Sequence, residues 1–334
     1  MIRSEDELRR LAEDLLVRAG VPPTGARLQA DVLIEAELRG HPSHGLQRLP
    51  RILARIANGL VDPTATGQHT WRREAFLEVD GERGLGPVVL FHALEALTAR
   101  ITRIGIATAA VSNANHIGML AWYAEEAARR GLIAIVLSTS EALVHPFGGT
   151  RAMLGTNPVA VAVPTGAEPF VLDLASSTVS MGKIHNHALR GEPIPEGWAV
   201  DAAGRATTDA DAAKSGAIAP FGGAKGYGLG LAIELLVSAL SGAALAPEIH
   251  GTLDDVRVAN KGDVIILIEP AETPGLPERL AAYLDALRSS PAADPARPVA
   301  VPGDGARARR SASRRRGVDI PETLLNELAA FQAA

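Results

Sequence analysis

Cysteine is absent from this chain of 334 residues. Its absence excludes a disulfide framework and any metal site built on thiolates. An excess of positive charge is also missing, because 33 Lys and Arg face 38 Asp and Glu and the net charge is -5. Domains that bind nucleic acid are usually basic, so we expect no nucleic-acid partner. The length suffices for a sizeable core and two domains.

Targeting and membrane-spanning patterns are missing as well. The chain opens with Ser4-Glu5-Asp6-Glu7, a capping-box pattern, where a signal peptide would have a basic segment followed by an apolar one. The most apolar long run, residues 229–247, contains Glu234 and several Ser and Gly residues, which predicts a core helix and not a membrane span. We therefore expect a cytoplasmic protein with no membrane partner.

The usual dinucleotide-binding fingerprint is the last absence. Gly226-Tyr227-Gly228-Leu229-Gly230 is followed by Leu231, so the third glycine is misplaced for G-x-G-x-x-G. No acidic residue follows at the expected strand end either. A parallel-sheet dinucleotide fold is therefore not indicated.

The most informative segment that is present runs from Gly40 to Pro50. Ser43 is a suitable N-cap for an apolar series of helical spacing that ends at Gly59. His44 would then lie in the first helical turn, where an anion is attracted, and Arg48 could bind a carboxylate through two hydrogen bonds. Pro50 falls inside the series, so the helix either kinks or begins later. The same pattern also fits residues without a binding role, with Ser43 only a helix cap, His44 a surface imidazole and Arg48 a solvated charge.

Helices dominate the first sixty residues, at 4–19, 24–39 and 43–59, each ending near a glycine. From Phe76 short apolar strands alternate with helices, which indicates a mixed α/β layer. Residues 191–223 resemble a long irregular loop. A helix from Lys225, a strand at 264–268 and a helix at 277–287 follow. Residues 289–317 carry an arginine run, predicted as a mobile solvated stretch or as an electrostatic clamp for a cofactor phosphate or an anionic substrate.

Five further segments follow the Ser43-His44-Gly45 motif in order. They are Ser112-Asn113-Ala114-Asn115-His116-Ile117-Gly118, Leu154-Gly155-Thr156-Asn157-Pro158, Val171-Leu172-Asp173-Leu174-Ala175-Ser176-Ser177 leading to Gly182-Lys183-Ile184, Ile194-Pro195-Glu196-Gly197-Trp198-Ala199, and Pro220-Phe221-Gly222-Gly223-Ala224-Lys225-Gly226-Tyr227-Gly228-Leu229. Together they resemble the type-2 malate/L-lactate dehydrogenase family, which includes ureidoglycolate, sulfolactate and diketogulonate oxidoreductases and cyclic imine reductases. The resemblance runs from about Leu8 to Leu328. The His41-Pro42 pair and the basic C-terminal segment depart from the family pattern.

The resemblance implies an α/β protein with a non-Rossmann, mixed-sheet NAD(P)-binding domain at residues 73–244. It implies an α-helical N-terminal unit at 1–72, completed by a C-terminal segment, 245–334, that packs on it. It further implies a homodimer that uses NAD or NADP to transfer a hydride to or from a small anionic substrate, a 2-hydroxy or 2-oxo acid.

Within that reaction, histidine suits the proton transfer because its pKa lies near neutrality. His44 is our first choice as the acid/base, and His116 shares the role or holds the substrate oxygen. Ser43 and Arg48 are expected to bind the carboxylate. His185 and His187 would project from one strand face, but nothing in the pattern completes a metal site, and we expect none.

Cofactor contacts are carried over from the resemblance. They are Ser140, Asp173, Leu174, Ala175, Ser176, Lys225, Gly303 and Asp304. Ser176 is predicted to cap a helix, Lys225 to place a charge near the pyrophosphate, and Asp173 to accept from a ribose hydroxyl or to orient a histidine. For Lys183 we hold two interpretations equally, a cofactor contact and an ordinary surface residue.

Three other functions remain open at this stage. The protein could reduce a cyclic imine carboxylate, or it could be a non-catalytic binding protein of the same fold. A serine hydrolase built on Ser43 and His44 is disfavoured, because the glycine spacing misses the nucleophile elbow by one residue.

Overall fold

A computed structural model describes residues 1–166 and 168–333 of the chain. The helices are α1 (Glu5–Arg18), α2 (Pro23–Leu38), α3 (Leu49–Ala57), α4 (Gly86–Ile104), α5 (Leu120–Arg129), α6 (Met181–Arg190), α7 (Ala210–Lys214), α8 (Ala224–Ser241), α9 (Leu276–Arg288), α10 (Asp304–Arg316) and α11 (Glu322–Ala333). The strands are β1 (Ile2–Arg3), β2 (Gln68–Arg73), β3 (Phe76–Asp80), β4 (Ile106–Ser112), β5 (Ile133–Ser138), β6 (Val159–Val163), β7 (Phe170–Leu174), β8 (Ala199–Val200), β9 (Ala206–Thr207), β10 (Ala217–Ile218), β11 (Asp263–Ile268) and β12 (Val318–Asp319).

The main sheet is mixed and has seven strands in the order β2-β3-β4-β11-β5-β6-β7. Strands β3 and β4 run parallel, and the other neighbouring pairs of this sheet run antiparallel. Doubly wound dinucleotide folds are built on mostly parallel sheets, so this topology is different. The predicted mixed α/β class is confirmed.

Strand β11 lies at the centre of that sheet and pairs on both sides. Its apolar residues Val264, Ile265 and Leu267 are fully buried, as a near-continuous apolar strand requires. The sequence analysis predicted this strand, but its domain division assigned it to the C-terminal segment, 245–334, and not to the mixed-sheet domain in which it lies. The rest of that domain division stays a prediction.

Helices cover both faces of the sheet. Helices α4 and α5 contribute to the larger core on one face, and α8 packs Ile233 and Val237 against the other. By length and composition α8 is also apolar enough to span a membrane. Its buried face instead holds Glu234, whose carboxylate accepts a hydrogen bond from Asn157 Nδ2 at 2.6 Å. The expected core helix is therefore buried on one face only.

A second core joins the two ends of the chain. Leu8 and Leu15 of α1 pack with Leu33 of α2 and with Leu324 and Leu328 of α11. The predicted capping box is confirmed: the Ser4 hydroxyl accepts from the Glu7 amide, and the Glu7 carboxylate accepts from the Ser4 amide.

The helix predicted to begin at Ser43 starts later. Two short 3₁₀ turns, Pro42–His44 and Leu46–Arg48, precede α3, and Ser43 caps no helix. Pro50 occupies the first turn of α3, where its missing N–H costs nothing and its fixed φ suits the helix. The N-cap prediction for Ser43 was therefore wrong.

Three other local predictions were wrong. Residues 191–223 contain α7 and the small sheet β10-β8-β9, and are not irregular throughout. The arginine run is not a mobile stretch but forms α10, in which Arg310 and Arg314 pair with Glu35 of α2; the alternative interpretation of the run as an electrostatic clamp for an anion stays a prediction. Ser176 caps no helix, since the N-cap of α6 is Ser180.

Candidate active site

A deep cleft lies beside the N-terminal 3₁₀ turns and the loops that follow β4, β5 and β7. Its volume, counted out to its open mouth, is about 2730 Å³. A smaller cavity adjoins it. The two share His44, Arg48, Arg51 and His116 in their walls. The reactive side chains predicted from the sequence therefore lie where the two spaces meet.

His44 and His116 come together although they belong to different segments. His44 lies on the first 3₁₀ turn and His116 follows β4, and their ring centroids are 5.6 Å apart. Burial, with the nearby charge of Arg48, lowers the pKa of His44 to about 4. The same causes hold the pKa of His116 well below its ordinary value. Both rings are therefore neutral at pH 7.

Hydrogen bonds assign the tautomer of one ring. His116 Nδ1 accepts from the Gly118 amide at 3.0 Å, so the proton of the neutral ring is assigned to Nε2. His44 Nδ1 lies 3.1 Å from the hydroxyl of Ser43. That hydroxyl contacts the His44 ring and takes no part in helix capping.

Arg48 is fixed by two backbone carbonyls. Its Nε donates to the Ser43 carbonyl at 2.7 Å and its Nη1 to the Thr252 carbonyl at 3.2 Å. Burial lowers its pKa to about 10, so the guanidinium remains charged at pH 7. In the described chain Nη2 has no hydrogen-bond partner, which leaves it available to a ligand carboxylate.

The cleft wall contains five of the residues carried over as cofactor contacts, Ser140, Asp173, Leu174, Ala175 and Gly303. The Asp173 carboxylate accepts from the Ala121 amide in the first turn of α5 at 2.7 Å, and burial raises its pKa to about 6. Gly303 has φ +95°, and a Cβ there would lie 3.0 Å from the Val171 carbonyl oxygen. Only glycine fits this turn without strain.

Four other predicted cofactor residues lie outside the cleft wall of the described chain: Ser176, Lys183, Lys225 and Asp304. Ser176 is buried, and its hydroxyl donates to the Thr156 carbonyl at 2.9 Å. Arg288 and Arg307 bind Asp304 and hold the pKa of its carboxyl well below the usual range. Lys183 and Lys225 are exposed. Their roles as cofactor contacts stay predictions.

The two candidate metal histidines occupy a helix, not a strand. Both belong to α6, and His187 packs edge-on against Trp198. His185 lines the cleft. Among residues 1–166 and 168–333 no group of three or more His, Asp or Glu side chains is arranged to hold a metal ion.

Sequence reasoning missed several residues of the site. Glu141 anchors the loop after α8, since its carboxylate accepts from the amides of Thr252 and Leu253 at 2.8 and 3.0 Å. Arg51 lies three residues after Arg48, a spacing that could have suggested a shared face. Gln29 on α2 had no local signal at all. The buried ion pair between Lys261 and Asp263 likewise shows no recognisable motif.

Charges in the cleft wall are predominantly positive. In the described chain the wall contains five arginines and only three carboxylates: Arg39, Arg48, Arg51, Arg307 and Arg309 against Glu125, Glu141 and Asp173. Glu125 is already paired with Arg39. Such a wall is complementary to an anionic cofactor and an anionic substrate.

Comparison with known proteins identifies the family. The sequence profile described as malate/L-lactate dehydrogenase matches residues 3–329. The chain belongs to this family. The predicted membership is confirmed, and the protein is an oxidoreductase.

Similarity extends along nearly the whole length of three relatives. The crystal structure of a dehydrogenase from Sinorhizobium meliloti is 61% identical, with a TM-score of 0.96 over 99% of this chain and 98% of the other. The L-sulfolactate dehydrogenase of Methanocaldococcus jannaschii is 36% identical over 98% of this chain and 95% of its own length. The Delta(1)-pyrroline-2-carboxylate reductase of Pseudomonas fluorescens is 33% identical over 97% of each chain.

Proposed function

We propose that the protein transfers a hydride between NAD(P) and a small 2-hydroxy or 2-oxo acid. The observation that carries this proposal is the neutral His44–His116 pair beside Arg48, where the large cleft meets the small cavity. This arrangement supplies a proton acceptor, a hydrogen-bond donor and a carboxylate anchor at one point. A 2-hydroxy acid needs all three. Its hydroxyl gives up a proton and its oxygen needs a donor to orient it, and its carboxylate is bonded to the carbon that reacts.

The large cleft fits a nicotinamide dinucleotide. Its volume exceeds what the acid alone would need, and its wall is basic. The close approach of Gly303 to the Val171 carbonyl leaves no room for a side chain at that turn, which keeps the backbone accessible. Ser140, Gly303 and the segment from Asp173 to Ala175 would hold the cofactor, which supplies the hydride acceptor or donor when bound.

The proton follows a path defined by the two histidines. His116 donates from Nε2 to the substrate oxygen and keeps it oriented. His44, with its Nδ1 hydrogen directed to the Ser43 hydroxyl, takes the hydroxyl proton on Nε2 during oxidation and returns it during reduction. Arg48 binds the carboxylate, whose negative charge offsets the arginine charge that otherwise disfavours a protonated His44.

NADH and NADPH absorbance with a panel of 2-oxo acids and cyclic imine carboxylates tests the function. We expect oxidation of one reduced cofactor with a 2-oxo acid. Faster turnover of an imine would favour the reductase alternative, which the same histidine and arginine could serve. Tight cofactor binding without turnover of any compound would refute catalysis and leave a binding protein.

We also propose that two chains pair through α8. Its outer face is an apolar stripe in which Leu229, Leu235 and Leu236 are 39%, 53% and 44% exposed. Contiguous apolar patches on soluble proteins usually mark contact surfaces. Lys225 lies at the start of the same helix, so pairing would bring it near the second subunit. Light scattering should report a dimer for the native chain and a monomer for Leu235→Glu with Leu236→Glu.

A further inference from the structure

A buried ion pair lies at one end of the central strand β11. Lys261 precedes the strand, Asp263 is its first residue, and each side chain is 1% exposed. Lys261 Nζ donates to both carboxylate oxygens of Asp263. Alternate residues of a strand point to one face, so Asp263 faces the larger core together with Ile265 and Leu267. The pair therefore places two charges at the end of an apolar strand face.

Stability alone does not explain a buried pair of this kind. Each charge loses its hydration on burial, and the attraction between the two charges often does no more than offset that cost. Apolar residues of similar volume at such a place are often as stable or more stable. What surrounds the pair is therefore more informative than its contribution to folding.

Both loops that form the site begin beside this pair. In the register of the sheet, Asp263 lies opposite Val111 of β4 on one side and Ser138 of β5 on the other. The chain after β4 carries His116, and the chain after β5 carries Ser140 in the cleft wall. The start of β11 therefore lies between the two loops, and its placement sets their spacing.

Toward β5 the contacts are direct. Lys261 Nζ donates to Ser138 Oγ at 3.5 Å. The Gly262 amide donates to Thr139 Oγ1 at 3.1 Å, and the Thr139 amide donates to the Gly262 carbonyl at 3.1 Å. Ser138 and Thr139 line the cleft. The segment that bears the ion pair therefore supports the cleft wall from behind.

Toward β4 a tyrosine reaches the chain beside His116. Tyr123 of α5 is fully buried in the larger core, and its hydroxyl donates to the carbonyl of Ile117, the residue after His116. Burial, and then the charge of Asp263, hold the pKa of Tyr123 well above its ordinary value. The phenol therefore keeps the proton that it donates.

The charge of Lys261 also acts on His116. Burial is the main cause of the lowered pKa of His116, and four facing groups add to it: Arg48, His44, Lys261 and Arg51. Arg48 and Arg51 line the cleft, where a bound anion offsets their charge. Lys261 lies behind the wall, so its effect on His116 persists when an anionic substrate binds.

We propose that Lys261 and Asp263 are positioning residues for the hydride transfer, which hold the cleft wall at Ser138 and the loop of His116 in one arrangement. Neither side chain lines a cavity of the described chain, so both act through other residues. Lys261 also keeps the His116 ring neutral. A protonated His116 would weaken His44 as a base, because one cation disfavours a second. The inference rests on the proposed hydride transfer and adds two residues to it.

A double variant separates positioning from stability. Lys261→Met with Asp263→Leu removes both charges and leaves neither unpaired, so urea unfolding should show native or higher stability. Its kcat with a 2-oxo acid at saturating NADH or NADPH should nevertheless fall by about tenfold to a hundredfold, because a displacement of about 1 Å at the site has that effect. Arg9→Met with Asp31→Leu removes an ion pair between α1 and α2, outside both cavities, and should leave kcat unchanged.

NMR titration of ¹⁵N-labelled histidine measures the second effect without turnover. The signal of His116 is identified by its loss in His116→Gln. In Lys261→Met its titration midpoint should lie at a higher pH than in the native protein, because the facing cation is gone, and the Arg9→Met control should show the native midpoint.

The inference needs both results. A double variant with native kcat, or one whose loss of activity only matches a loss of folded protein, would overturn it. A native His116 midpoint in Lys261→Met would overturn it as well, even if the double variant failed to fold. A native enzyme that reduces no 2-oxo acid would instead refute the proposed function, which the NMR titration does not depend on.

Discussion

Gly45 offers the sharpest test of how the reactive residues are positioned. It joins the two 3₁₀ turns that carry His44 and Arg48. The carboxylate of the buried Glu37 accepts from the Leu46 amide at 2.7 Å and lies directly against this glycine. A Cβ at residue 45 would be 2.6 Å from Glu37 Cδ and 2.8 Å from its Cγ, distances that no unstrained structure allows.

The cost of Gly45→Ala follows from these contacts. Either Glu37 moves and its hydrogen bond to the Leu46 amide breaks, or the two turns shift apart. Leaving a buried donor or acceptor without its hydrogen-bond partner costs about 1–3 kcal/mol of unfolding free energy. A shift of the turns displaces His44 and Arg48 together, and a misplacement of about 1 Å can lower the rate about 10²-fold. We therefore expect losses in both stability and kcat/KM.

Urea unfolding and steady-state kinetics of the same preparation measure the two effects. Gly182→Ala is the matched control, because its Cβ would lie an ordinary 3.5 Å from the Cβ of Ser43, and alanine favours the α6 helix. Glu37→Gln, which keeps an acceptor oxygen in place, should retain most of the stability. A Gly45→Ala protein with native unfolding and native kcat/KM would show that Glu37 does not position the site.

Further predictions concern the chemistry of the cleft. His44→Ala should lower kcat by about 10²–10⁴-fold with cofactor affinity nearly unchanged in fluorescence titrations, and near-native turnover would transfer the acid/base role to His116. Because the pKa of His44 is about 4, the ring is already unprotonated at neutral pH, so kcat/KM for hydroxy-acid oxidation at saturating cofactor should stay level from pH 8 to 5 and fall only towards pH 4; a midpoint between 6 and 7 that persists at saturating cofactor, where protonation of Asp173 no longer limits cofactor binding, would contradict this. Arg48→Lys should raise KM for the acid more than it lowers kcat, since an ammonium cannot reproduce the planar fork, and an equal effect on a substrate without a carboxylate would argue against direct binding. Arg309→Gln should weaken NAD(P)H binding in titrations at low salt, because Arg309 lines the cleft without a carboxylate partner in the described chain. Lys225→Ala should weaken this binding less. If Lys225→Ala instead has the larger effect, Lys225 contacts the cofactor, through the second subunit.

Local features of this chain could be predicted from its sequence. The capping box of α1, the glycine-terminated helices α1 and α2 and the apolar run of β11 depend on neighbouring residues alone. The residue types needed for hydride transfer, and the order of the motifs, were sufficient to identify the family. These signals are short-range or compositional, so no tertiary information was required.

Contacts between distant segments were decided by the tertiary structure. The meeting of His44 and His116, the central place of β11 and the pairing of Arg310 with Glu35 arise from packing between elements far apart in the chain. Ser43 is not an N-cap, because a helix that began there would place Pro50 in its interior; α3 instead begins at Leu49, with Pro50 in its first turn. Ser176 and Asp304 lie outside the cleft wall of the described chain, and their polar atoms bond to protein partners, Thr156 and Arg288; their roles as cofactor contacts stay predictions. Gln29 and Arg51 line the small cavity because the fold brings α2 and α3 together there, and neither side chain has a hydrogen-bond partner among the described residues.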